Sequence, residues 1–254
     1  MSAAPYVMNK TMIYAHRGAN REAAENTRSA FDLALSYPID GMETDVQLSR
    51  DGVTVLWHDG FLGKLGLPAR RIDHYEYREL RAMDFAAHFG RGARPEGIMA
   101  LREFIEAYRP RCRLLLEIKS GDDEDAGRRE AKIRQTLELA GNPGDGRVLA
   151  SSFHLPSLIY AHQCAPDFPL VYNCESSQTV VDAEKIVNTY PFFHGLCLHK
   201  KTLGQDMVDM LRRHNKSIAV YTCNNDEEIH RALELGVDIL ITDLPQKALQ
   251  MRDA

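Results

Sequence analysis

Short apolar runs recur along this chain, separated by polar stretches in which apolar residues return with a helical period. Runs of this kind, rich in branched and aromatic residues, read as buried strands, and the stretches between them as helices laid on a sheet. The strand candidates are Met12-His16, Met42-Leu48, Val53-His58, Arg113-Ile118, Arg147-Ser152, Pro169-Asn173, Gly195-His199, Ser217-Thr222 and Asp238-Thr242. Behind an Asn26-Thr27 start signal, Ala30, Phe31, Ala34 and Leu35 share one helical face. Further helices are expected over Leu101-Tyr108, Gly127-Ala140, Pro156-Gln163, Val180-Asn188, Gln205-His214 and Asp226-Leu235. Strand and helix in alternation predict a mostly parallel sheet wrapped by helices, an α/β fold of the (β/α) barrel kind.

These candidates are one strand more than a closed eight-stranded barrel needs. Only Ser49-Arg50-Asp51-Gly52 separates the second from the third, too little for a crossover helix. The two are therefore expected to form a hairpin turning at Asp51-Gly52. About forty residues from Gly60 to Ala100 then separate a strand from its helix, where a barrel loop is usually much shorter. With a helical stretch at Tyr75-Met83, residues 60-100 read as a small insertion capping the barrel mouth. No linker or low-complexity tract divides the chain, so residues 1-254 are expected to form a single barrel domain.

Charge and cysteine usage narrow the function classes. A net charge of -5 offers no basic excess for a polyanionic backbone, which argues against nucleic acid as a partner. No run of about 18 apolar residues and no leader pattern occurs, so a cytoplasmic protein with no stable membrane insertion is expected. The 5 cysteines are widely spaced and never in a C-x-x-C pair, which argues against a disulfide framework or a thiolate zinc site. Nothing in the pattern commits the chain to an oligomeric state.

Candidate chemistry sits at strand ends. Residues i and i+2 of a strand point to one face, so Glu43 pairs with Asp45, and Glu117 with Lys119. A barrel interior is normally apolar, so charges there must be paired, ligated or at the open end. Three carboxylates from two strands suit a hard divalent cation, Mg²⁺ or Ca²⁺. His16 and His58 end strand candidates and can divide general acid and base work. Arg17 and Lys119 can neutralise phosphoryl oxygens. No G-x-S-x-G, H-E-x-x-H, P-loop or well-placed G-x-G-x-x-G occurs, which favours attack by water or a substrate hydroxyl.

The ordered set His16-Arg17-Gly18-Ala19, Glu25-Asn26-Thr27, Gly41-Met42-Glu43-Thr44-Asp45-Val46, Asp51-Gly52 and Val55-Leu56-Trp57-His58-Asp59 resembles the glycerophosphodiester phosphodiesterase family in its small bacterial cytoplasmic form. The likeness continues through Leu116-Glu117-Ile118-Lys119, Ser152-Phe153, Tyr221-Thr222-Cys223-Asn224, Gly236-Val237-Asp238 and Thr242-Asp243-Leu244-Pro245. It implies a distorted (β/α)8 TIM barrel with a small insertion after the third strand. It also implies metal ligation by Glu43, Asp45 and Glu117, acid and base roles for His16 and His58, and phosphate contacts from Arg17 and Lys119. Phe153 and Tyr221 fall on the apolar lining of the glycerol pocket. Ala24, Met99-Ala100-Leu101 and Tyr221 depart from the family's usual Pro, Pro-Thr-Leu and Trp, which bears on pocket shape more than on the reaction.

The activity implied is metal-dependent hydrolysis of a small-molecule glycerophosphodiester to glycerol 3-phosphate and an alcohol, through a cyclic phosphate. The alternatives are a related barrel acting on lysophospholipids and a non-catalytic, metal-stabilised binding barrel. Retention of both histidines with all three acids argues against the latter.

Overall fold

The structure, a computed structural model, describes residues 10–90, 92–121 and 123–254. Its strands are β1 (Met12–His16), β2 (Gly41–Leu48), β3 (Thr54–Leu56), β4 (Arg113–Ile118), β5 (Val148–Ser152), β6 (Leu170–Asn173), β7 (Gly195–His199), β8 (Ser217–Tyr221) and β9 (Ile239–Thr242). Their order is β1-β9-β8-β7-β6-β5-β4-β2-β3, and a parallel β1–β2 pairing closes the ring. The staves are all parallel, and β3 alone runs antiparallel, against β2. The expected hairpin is present: the Gly52 amide donates to Ser49 O at 3.1 Å, and Gly52 takes φ 80°, a conformation open to glycine.

Alternation along each stave sorts the side chains. Tyr14, Leu115, Leu149, Val171, Cys197, Ala219, Ile239 and Ile241 fill the barrel interior. Their neighbours in sequence, such as Ile13, Leu114, Leu116, Leu196 and Leu240, face outward into the larger core under the helices. The barrel floor leaves no room at Gly41, where a Cβ would lie 2.6 Å from the Tyr14 ring. Followed toward the carboxyl end, the inward rows change from apolar to polar. Tyr14 leads to His16, Leu115 to Glu117, and Ile241 to Asp243. That end is where barrels of this kind carry their chemistry.

The covering helices are α1 (Arg28–Ala34), α3 (Leu101–Tyr108), α4 (Ala126–Ala140), α5 (Leu155–Cys164), α6 (Val180–Thr189), α7 (Gln205–Arg213), α8 (Asp226–Glu234) and α9 (Pro245–Asp253), with α2 (Tyr77–Ala82) in the insertion. Thr27 caps α1, its hydroxyl accepting from the Ala30 amide. Helix α9 lies outside the helices expected from periodicity. It opens with Pro245 at its first turn and buries Ala248 and Leu249. None of the described helices is long and apolar enough to cross a membrane. The five cysteines are free thiols, and all but Cys164 are buried.

The third strand is shorter than expected. Its ladder stops at Leu56, and His58 stands beyond it on a loop rather than at a strand end. Backbone groups there find other partners: the Trp57 amide donates to Asp45 O at 3.1 Å, and Gln47 Nε2 donates to the carbonyls of Trp57 and Asp59 at 2.9 and 2.7 Å. Residues 60–100 then build a satellite core in which Leu62, Ile72, Leu80, Phe85 and Ile98 pack with Val55 and Trp57. The chain returns along β3, the Leu56 amide donating to Met99 O at 3.0 Å.

Candidate active site

Glu43, Asp45 and Glu117 converge as the strand alternation predicts. One carboxylate oxygen from each lies within 4.8 Å of the others. Register explains this, since β2 and β4 pair with Asp45 directly opposite Glu117. Glu43 and Asp45 are buried, Asp45 completely. Burial, with Asp45 beside it, pushes the Glu43 carboxyl well above its usual range. Burial opposes ionisation of Asp45 too, but Arg17 and Lys119 outweigh it and hold that carboxyl well below the usual range.

Two cations are set among the acids. Arg17 Nε lies 3.0 Å from Asp45 Oδ2, and Arg17 Nη1 3.1 Å from Glu25 Oε2. Burial works against the guanidinium charge, but Asp45 and Glu25 raise its affinity for its proton. Arg17 sits at φ 56°, followed by Gly18 at φ 83°. That reversal carries the chain off β1 so closely past α1 that a Cβ on Gly18 would lie 2.6 Å from the Ala30 carbonyl carbon. Lys119 Nζ is 2.6 Å from Glu117 Oε1 and 3.7 Å from Asp45 Oδ1.

Each histidine has a carboxylate on Nδ1. His16 Nδ1 is 2.6 Å from Asp243 Oδ1, and its Nε2 is 3.9 Å from Glu43 Oε2. His58 Nδ1 is 2.7 Å from Asp59 Oδ1. Burial would raise the Asp243 carboxyl, but its bonds to His16 and Asn20 and the nearby Arg21 hold it down at about 2. A carboxylate on Nδ1 favours the tautomer protonated there and leaves the Nε2 lone pair available.

Phe153 and Tyr221 meet edge to face, 5.6 Å between ring centroids, and line one cavity with His16, Glu43 and Glu117. Tyr221 Oη donates to Cys174 O at 2.8 Å, which satisfies the hydroxyl, and the residue lines the cavity. The structure thus brings together every residue singled out from sequence, with His58 at the outer edge.

Other members of the site had no role assigned from sequence. Asp243 and Asp59 orient the imidazoles. Asn26, buried at φ 58°, donates to Asp45 Oδ2 at 3.0 Å and accepts from Thr44 Oγ1 at 2.8 Å. Glu25 holds Arg17. Each stands inside a motif quoted above; Asp59 is adjacent to His58 and Glu25 lies near Arg17 in the chain, whereas Asn26 and Asp243 reach partners far away in sequence, and none of these pairings leaves a periodic signal.

The acids fit a hard cation. Glu43 Oε2 and Asp45 Oδ1 are buried and accept no hydrogen bond from the described residues. Buried carboxylate oxygens without donors are costly unless a cation meets them. Oxygen-only donors also match Mg²⁺ or Ca²⁺ better than a softer metal.

Residues 16–247 match the Glycerophosphoryl diester phosphodiesterase family. A glycerophosphodiester phosphodiesterase of Bacillus altitudinis is 30% identical over 247 residues, covering 96% of this chain and 98% of that one. An Oleispira antarctica phosphodiesterase, solved in complex with the product sn-glycerol-3-phosphate, superposes with a TM-score of 0.82 at 26% identity, covering 96% of this chain and 97% of that one. The glycerophosphodiester phosphodiesterase of Thermotoga maritima has the same fold, with a TM-score of 0.76 at 23% identity over 96% of this chain and 99% of that one.

Proposed function

The chain belongs to the glycerophosphoryl diester phosphodiesterase family and is an enzyme of that activity, and from this premise we propose a two-histidine, metal-dependent hydrolysis yielding sn-glycerol 3-phosphate and an alcohol. The observation that carries the reading is the pair of imidazoles, each with a carboxylate on Nδ1, flanking one cluster of three acids. Glu43, Asp45 and Glu117 would hold the divalent cation, Mg²⁺ or Ca²⁺. When bound, it supplies Lewis-acid neutralisation of the phosphoryl oxygens. Arg17 and Lys119 add fixed positive charge at the same place, which stabilises the extra charge of the transition state.

Their surroundings support a division of labour between the histidines. His16 lines a small, partly open cavity with Phe153 and Tyr221, and the glycerol moiety would lie there with its carbon face on the rings. His58 is more open, with 34% of its side chain exposed, and borders a groove lined by Phe61, Arg71 and Lys119 that can take alcohols of varied size. His16 Nε2 therefore removes the proton of the glycerol 2-hydroxyl, whose oxygen attacks phosphorus. The bond to the alcohol breaks, and His58 gives that oxygen a proton. A five-membered cyclic phosphate results. In the second step His58 takes a proton from water, the new P–O bond opens the ring, and His16 returns its proton to the 2-oxygen. An intramolecular hydroxyl has the advantage of proximity, with effective molarities of roughly 10⁵–10⁸ M for well-oriented groups. The insertion, residues 60–100, borders the groove through Phe61 and Arg71 and covers the mouth on the side from which the alcohol leaves.

A coupled assay for glycerol 3-phosphate released from glycerophosphocholine, glycerophosphoethanolamine and glycerophosphoglycerol, with and without chelator, tests reaction and head group together. Release from none of them with Mg²⁺ or Ca²⁺ supplied would overturn the reading.

A further inference from the structure

The side chain of Lys64 belongs to the insertion yet touches two carboxylates of the site. It stands in a single 3-10 turn, Gly63–Leu65. Its Nζ is 2.7 Å from Glu25 Oε1 and 3.1 Å from Asp59 Oδ2. Glu25 holds Arg17, and Asp59 holds Nδ1 of His58. A continuous run of acidic and basic side chains follows: Asp45, Arg17, Glu25, Lys64, Asp59, His58, each within 3.1 Å of the next. Lys64 is the link in that run supplied by the insertion.

His58 needs such a link. Its loop lies beyond the end of the β3 ladder, and the backbone on either side of it is held by two residues of β2, through the Gln47 side chain and the Asp45 carbonyl. The imidazole itself is held by Asp59, whose side chain is 31% exposed and has a second oxygen that would otherwise face solvent. Lys64 takes that oxygen. Its ammonium also lies 5.6 Å from the centroid of the Trp57 ring, which is fully buried beneath the loop. The base of Lys64 is anchored in turn, since Leu62 is buried in the satellite core and its amide donates to Arg70 O at 2.7 Å. A fork of two carboxylates closed by one ammonium is a rigid support, and rigid support of an acid is what proton transfer to a leaving group requires.

The geometry points to Lys64 as a positioning residue that couples the insertion to catalysis, acting through Asp59 on the protonating Nε2 of His58. This rests on the reading of His58 as the acid that serves the leaving alcohol. The consequence concerns the chemistry of that alcohol. A choline or ethanolamine alkoxide is a poor leaving group and needs the proton, whereas p-nitrophenolate leaves without it. Loss of an acid's positioning should therefore slow the first kind of diester and spare the second.

The test uses the full chain with its cation supplied, comparing glycerophosphocholine with the p-nitrophenyl diester of glycerol 3-phosphate for wild type, Lys64→Met, Lys64→Arg and His58→Ala. Lys64→Met is expected to lower kcat on glycerophosphocholine about 10-fold or more, short of the roughly 10²- to 10⁴-fold loss on removing an acid itself. KM and the rate on the nitrophenyl diester should stay within about threefold, and Lys64→Arg should recover most of the loss. Equal loss on both substrates, or loss on neither, overturns the positioning role. If Lys64→Met does not fold, Lys64→Gln, which keeps one donor and no charge, is read by the same criterion. The His58→Ala arm separates the two readings: should it slow both diesters alike, the acid assignment falls, and should it show the leaving-group pattern while the Lys64 variant does not, only the Lys64 inference falls.

Discussion

Nδ1 of His16 lies 2.6 Å from Oδ1 of Asp243, a contact made across the seam where the first and last strands of the barrel pair. Asp243 also accepts from Asn20 Nδ2 at 2.8 Å and from Asn224 Nδ2 at 2.7 Å, so its carboxylate is oriented before it meets the ring. His58 and Asp59 repeat the pairing at 2.7 Å with neighbours in sequence. Closure of the barrel thus creates one pair, and the local chain creates the other.

Asp243→Asn should lower kcat by roughly 10²-fold or more with KM little changed, because an amide permits the tautomer that places the proton on the wrong nitrogen. His16→Ala and His58→Ala should each cost roughly 10²- to 10⁴-fold on glycerophosphocholine. Steady-state kinetics on folded protein decide both, and a rate within threefold of wild type for any variant removes that residue from the mechanism.

Asp243 also predicts a pH dependence of stability. Its carboxyl is held at about 2, against 3.8 for a free aspartate. A lowered folded value means the unfolded chain binds the proton more readily, so the stabilisation is complete above pH 3.8 and is lost as pH falls through about 2. The difference corresponds to about 2 kcal/mol. Denaturant unfolding of wild type and Asp243→Asn at pH 5, 3.5 and 2.5 should show the gap between them narrowing toward acid. A constant gap would mean the group contributes no such linkage.

Chelation should abolish turnover, and Mg²⁺ or Ca²⁺ should restore it. Asp45→Asn should weaken cation binding, read as metal content after dialysis and as the cation concentration giving half-maximal rate. Full activity in excess chelator with no metal in the protein would contradict ligation by the three acids.

Asn26→Ala should cost roughly 1–3 kcal/mol of stability. It leaves Asp45 Oδ2 and the Thr44 hydroxyl without their partner in a buried setting, and it places alanine at φ 58°. A shift in the denaturation midpoint equivalent to less than about 0.5 kcal/mol would show that Arg17 alone secures Asp45.

A diester whose glycerol moiety lacks the 2-hydroxyl but still binds should resist cleavage, and the parent diester should yield a transient cyclic phosphate visible by ³¹P spectroscopy. Cleavage of the 2-deoxy compound at a rate near that of the parent would show that water attacks phosphorus directly.

Several features of this protein were legible in the residues alone. The period of two placed Glu43 with Asp45, and Glu117 with Lys119, on single strand faces. The short Ser49-Gly52 connection required an antiparallel strand, and strand-helix alternation set the barrel class. The ordered motifs named the family. These are local properties, decided by which face a side chain takes and how far a short loop reaches.

Other features exist only once the barrel has closed. The β1–β9 seam brings Asp243 to His16, and Asp45 comes opposite Glu117 through the β2–β4 register. The reversal at Arg17 and Gly18 lays Asn26 on Asp45, and the satellite core presents Lys64 to both Glu25 and Asp59. The end of β3 at Leu56 was equally hidden, because Trp57 and His58 have the composition of a strand while the backbone groups of Trp57 and Asp59 bond to Asp45 and the Gln47 side chain. Helix α9 escaped periodicity for a related reason: few apolar residues mark its buried face, and its place is set by packing against β1. Sequence determines which face each charge takes. Which charges meet is decided by tertiary contacts, since that depends on distances between residues far apart in the chain.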